Sequence, residues 1–174
     1  MNSFELIAVF TGKSLEKILA AGGTSSWRLN RSHARLCPLV VCTRNAHSDV
    51  DERPGQEAHG SGFLVGRIKD VIPSPTEEDR WLIEFSEYAK IDAAGVWKGE
   101  RNPVKYLKSE ELSALGIDFE KLQWQPMPEA QELAKFKSKT LEPITGALTI
   151  AQAKRGLALN FGVPSESVEI TIRG

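Results

Sequence analysis

Two long strand candidates constrain this chain most: "SGFLVGRIKDVI" (61–72) and "RWLIEFSEYAKI" (80–91), separated only by "PSPTEED" (73–79). In the first, Phe63, Val65 and Ile68 alternate with small or charged residues, the rhythm of a strand with one buried face. The connecting segment has the Pro, Ser and acidic composition of a hairpin loop. Gly66 interrupts the first segment and predicts a bulge or a close backbone approach.

Shorter elements surround this pair. "FELIAVF" (4–10) and the apolar run "PLVVCT" (38–43) read as strands, and so does "PVKYL" (103–107). Ser14 is placed to cap a helix "LEKILAA" that stops at Gly22 and Gly23. "GGTSS" then reads as a turn, "WRLNRSHARL" (27–36) as a short helix, and "SEELSALG" (109–116) as another. The polar stretch 44–60 reads as a long exposed loop. Pro128 starts a helix over 128–143, and Thr149 with Gln152 forms a capping box for a helix that ends at Gly162. In that helix Ile150, Ala153, Leu157, Ala158 and Phe161 fall at helical spacing. Val168, Ile170 and Ile172 alternate, so the chain is expected to finish in a strand, one open to pairing with a partner protein or a second copy.

The expected fold class is therefore α+β: a small, curled mixed β-sheet or pseudobarrel with short helices, plus a C-terminal helix–strand unit. With 174 residues the chain fits one domain with an appendage, divided here as 1–127 and 128–174. No apolar run reaches the roughly 20 residues a membrane span requires, and the N-terminus lacks a basic start, so a cytoplasmic protein without membrane attachment is expected.

A net charge of −1 does not advertise a polyanion partner, but its distribution is uneven. Residues 27–44 contain Arg28, Arg31, Arg35, Arg44 and His33 and no acid, whereas 61–127 carry twelve acids against nine bases. Trp27 lies beside Arg28, and "VWKGERNP" sets Trp97 with Lys98, Arg101 and Asn102 in an aperiodic connection. A flat ring with a guanidinium suits stacking on a base and gripping a phosphate, although both rings could equally plug the ends of a small sheet. Trp81 and Trp124, in apolar company, are assigned to the core.

Other chemistry is thinner. His33, Cys37, Cys42 and His47 are ligand types zinc accepts, but the two cysteines, if both lie in the strand, project to opposite faces, so no metal site is assigned. No cofactor motif is present: there is no G-x-G-x-x-G after a strand and no P-loop. His59-Gly60-Ser61-Gly62 lacks a nucleophile elbow, and Glu84 and Glu87 face opposite sides of one strand.

The order of elements through "GSGFLVGRIKDVIPSPTEEDRWLIEFSEYAKI", carried by Gly62, Gly66, Ile68, Val71 and Pro73, resembles the pseudobarrel of the PUA-like superfamily, in its ASCH and EVE branches, over about residues 4–125. The resemblance implies binding of RNA, or of a modified nucleotide in a small pocket of the curled sheet. It places the site on Trp27, Ser61 and Trp97, with Arg28, Arg31 and Arg101 as phosphate partners. Some ASCH-like proteins are hydrolases using a Lys, Thr and Glu set, for which this sequence shows no matching spacing. The leading expectation is a nucleic-acid-binding module. A small hydrolase or nuclease acting on nucleotides, with His33, His59 or Glu84 as acid or base, is the alternative. A protein-interaction role for the C-terminal unit is the third.

Overall fold

A computed structural model describes residues 3–51, 55–141 and 148–172. In chain order the elements are β1 (Glu5–Thr11), α1 (Leu15–Ala20), β2 (Gly23–Trp27), α2 (Arg31–Ala34), β3 (Leu39–Arg44), β4 (Gly62–Pro73), β5 (Trp81–Ala93), β6 (Val104–Lys108), α3 (Ser109–Ser113), β7 (Gln125–Pro126), α4 (Gln131–Leu141) and α5 (Ile150–Phe161). The strands form one mixed seven-stranded sheet in the order β2-β5-β4-β3-β1-β6, with β7 added to β5. β1 and β3 run parallel, and all other pairs are antiparallel.

The long β4–β5 hairpin makes the sheet curl. Gly62–Arg67 of β4 pairs with β3, while β5 pairs with β4 on one side and, through its first residues, with β2 on the other. Register shifts at Arg67/Ile68 and Ile68/Asp70 bend the hairpin between these two halves. At Gly66 an added Cβ would lie 2.7 Å from the Phe85 ring, so the glycine marks a close approach and the bulges follow it. The period-two alternation sorts residues onto two faces. Ile7, Val9, Val40, Cys42 and Leu64 pack with Ile18 of α1, Ala34 of α2 and Trp27 of β2. Leu6, Leu39, Val41 and Val65 pack with Leu112 of α3, Ile117 and Phe119.

Four expectations are corrected. "GGTSSW" is no turn followed by a helix but the edge strand β2: Gly23 and Thr24 pair with Glu84 and Ile83, and the helix is only Arg31–Ala34, capped by Asn30. Small side chains let β2 lie close on β5 while supplying none of the apolar alternation by which a strand is read. The segment 44–60 is not simply exposed, because fully buried Arg44 and buried Asp51 tie it inward. Residues 168–172 form no strand; a short 3-10 turn at Ser165–Ser167 leads into Val168, and the last two residues lie outside those described. Cys37 lies before β3, so both thiols face one core cluster instead of opposite faces.

α5 is capped as its sequence dictates, by reciprocal Thr149 and Gln152 bonds and by Gly162 at φ 68°. Its apolar stripe, however, faces outward: Ile150, Leu157 and Phe161 are exposed and only Ala158 is buried. Among the described residues no helix is long and apolar enough to cross a membrane.

Candidate active site

Three strands separate β1 from β2 in the sheet order, yet Lys13, two residues beyond β1, reaches β2 because the sheet has curled. Lys13 Nζ donates to the Ser25 carbonyl at 2.7 Å and lies 3.0 Å from Ser25 Oγ. Ser25 is buried, and Lys13 is half-buried. Beside this pair the Ser26 hydroxyl meets those of Ser74 (2.5 Å) and Thr76 (3.2 Å) at the tip of the β4–β5 hairpin. Burial lowers the pKa of the Lys13 amine; the field of Glu77 on the hairpin tip raises it and that of Lys17 lowers it further, with a net downward shift.

The loop carrying Lys13 is held from below. Arg44, fully buried, donates from Nη1 to the Lys13 carbonyl (2.8 Å) and from Nε to Glu57 Oε2 (3.0 Å), with its guanidinium 4.2 Å over the Phe63 ring. Its Nη2 sits 2.8 Å from the same carboxylate without the alignment of a directed hydrogen bond. The Lys13 amide donates to Thr11 Oγ1, and the Ser14 amide donates to buried Asp51. Arg44, Asp51 and Glu57, all in the stretch read as a polar loop, thus act together as a brace that fixes the backbone on either side of Lys13.

Residues singled out from the sequence lie elsewhere. Trp27 is buried in the core, its ring N–H donating to Thr24 Oγ1 at 3.1 Å. Trp97 is also buried. It stacks on Phe10 at 5.0 Å, carries Lys105 Nζ 4.6 Å over its ring, and donates its amide to the Gly60 carbonyl. The connection around Trp97 is thus a braced corner, in which Glu100 accepts from the Lys98 amide and from Lys105, and Asn102 accepts from the Val104 amide. Lys98, Arg101 and Arg28 are exposed. Ser61 is buried and donates to the Ala58 carbonyl. Ring–guanidinium pairs do form, but at the two tryptophans assigned to the core: Arg31 lies 5.2 Å over half-buried Trp81 and Arg67 4.2 Å over half-buried Trp124. Trp27 ends β2 and Trp97 sits in the corner between β5 and β6, both turned into the core while Arg28 and Arg101 stay exposed, so adjacency along the chain does not bring ring and guanidinium together.

The proposed acids and bases are engaged as well. His33 Nε2 lies 2.6 Å from Glu5 and its ring stacks on Tyr106; His59 packs edge-on to Phe10 and against His47. Glu84, buried, is gripped by Lys137 (2.7 Å to both oxygens) and Lys69 (3.2 Å), which tie α4 to the sheet. Burial pushes the Cys37 thiol up to about 11 and the Cys42 thiol up to about 12, so neither supplies a thiolate near neutral pH. Among the described residues no three His, Cys, Asp or Glu side chains are grouped to hold a metal ion.

Lys13 and Ser25 escaped sequence reasoning because twelve positions and a curled sheet separate them, and small hydroxyl residues carry no periodic signal. The available sign was a lysine set directly between a strand end and a helix cap. No family model, no curated protein and no solved structure matches this chain.

Proposed function

We propose that the chain is a small hydrolase working by acyl transfer, with Ser25 as nucleophile and Lys13 as its general base. The observation that carries this reading is the 3.0 Å approach of Lys13 Nζ to Ser25 Oγ, made by an amine whose pKa burial lowers. A hydroxyl becomes a useful nucleophile only beside a base that can take its proton, and a lysine serves once its surroundings favour the neutral amine. With one N–H directed at the Ser25 carbonyl, the neutral amine can turn its lone pair toward the Ser25 hydroxyl.

In the step proposed, Ser25 Oγ bonds to the acyl carbon as its proton passes to Lys13. The collapsing intermediate expels the leaving group, which takes that proton, and water then releases the acyl group by the same route. Glu77, across the seam, favours the ammonium form that arises in the first half of each cycle.

The test is covalent. A fluorophosphonate should add once to the native protein, with the adduct mapped by mass spectrometry to Ser25 and lost in Ser25→Ala; an adduct that persists in that variant sinks the reading. The nucleic-acid-binding reading stands second. It is supported by exposed Arg28, Lys98 and Arg101 and by the acid-free stretch 27–44, without an accessible ring at Trp27 or Trp97.

A further inference from the structure

A concavity lies between α2 and the C-terminal end of α5. Arg31, Ser32, Arg35, Asn160, Phe161 and Gly162 line about 290 Å³ of space there. Gly162, in the left-handed conformation that ends α5, lies against the Arg31 side chain. Arg31 holds the two parts together: its Nε donates to the Val71 carbonyl (2.8 Å) and its Nη1 to the Leu159 carbonyl (2.6 Å), the latter at the carbonyl end of α5. These two bonds use two of the five N–H donors of a guanidinium.

The charge in the cleft is unbalanced. Arg31 and Arg35 stand one helical turn apart, and among the described residues the carboxylate paired with them is Asp70, 2.9 Å from Arg35 Nε. Both walls come from acid-free sequence, 27–44 and 148–165. Burial lowers the pKa of Arg31 and the neighbouring Arg35 lowers it further, while Asp70 raises it in part, with a net downward shift. At the rim Phe161 is 65% exposed, with its ring open to solvent.

We infer that this cleft binds a phosphorylated, ring-bearing small molecule of the nucleotide class, with the phosphate held by Arg31 and Arg35 and the ring laid on Phe161. Two guanidiniums with a hydroxyl and an amide match the acceptor-rich tetrahedral oxygens of a phosphate, which forked donors contact in pairs. An exposed phenyl ring at the edge supplies the flat face on which a base stacks. The site is separate from Lys13 and Ser25 and does not depend on acyl transfer.

Isothermal titration with AMP, UMP and inorganic phosphate, at low and high salt, tests it on the full chain. AMP and UMP should bind more tightly than inorganic phosphate, and all three should weaken with salt. Arg35→Gln, at a half-exposed side chain away from the core, should weaken all three by about 10- to 100-fold. Phe161→Ala should weaken the nucleotides by roughly tenfold and leave inorganic phosphate unchanged. Asn160→Ala provides a second lining variant, and circular dichroism of each variant confirms that it folds. Absence of binding by every probe, or nucleotide affinity indifferent to both Arg35→Gln and Phe161→Ala, overturns the proposal. Nucleotides that bind no better than inorganic phosphate overturn its ring-bearing part.

Discussion

The curled sheet and the C-terminal helix treat apolar side chains in opposite ways. In the sheet even the tryptophans that the sequence sets beside arginines are hidden: Trp97 stacks under Lys105 on Phe10, and Trp27, at the end of β2, joins the core cluster that includes Ile18 of α1. In α5 Ile150, Leu157 and Phe161 face solvent, and the helix is held by buried Ala158 and by polar ties, Arg31 to Leu159 and Arg155 to Glu78. Apolar periodicity therefore reports burial in one region and surface in the other. The sheet draws its stability from packing, whereas α5 contributes little to stability and presents side chains outward.

The sharpest way to break this contrast is to truncate a residue in each region. Leu64→Ala, at a fully buried position of β4, should cost about 2–5 kcal/mol in urea unfolding, because transfer and cavity costs add. Gly66→Ala should cost about 1–3 kcal/mol, since the new methyl group meets the Phe85 ring at 2.7 Å and one of the two must shift. Leu157→Ala, on the outer face of α5, should change stability by no more than about 0.5 kcal/mol. Equal losses at Leu64 and Leu157 would show that α5 buries its stripe after all.

Much of the sheet was legible because β1, β3, β4, β5 and β6 carry apolar runs or alternation bounded by turn residues. The α1 and α5 ends were legible from Ser14, Thr149, Gln152 and Gly162, whose side chains or backbone conformation satisfy exposed helix-end groups. β2 was not, since its glycine, threonine and serines form a strand only through contact with β5. Nor could Val168, Ile170 and Ile172 be judged from alternation alone, because a strand also needs a free edge to pair with. The site suffered most. Arginines and tryptophans near one another in sequence drew attention, while the close contact of Lys13 with Ser25 depends on a curl that no local pattern encodes. The buried arginine supporting it, Arg44, belongs to a stretch whose polar composition reads as solvent-exposed.

The pH dependence of fluorophosphonate capture at Ser25, compared between the native sequence and Lys13→Met, tests the central claim most directly. Protonated Lys13 has no lone pair to accept the serine proton. Capture should therefore rise as pH approaches the lowered Lys13 pKa and level off above it, at a pH below the ordinary lysine value of 10.5. Lys13→Met should slow capture by about 100-fold or more and remove that inflection. Capture at the native rate in Lys13→Met, with the same pH profile, would contradict the assignment of Lys13 as the base.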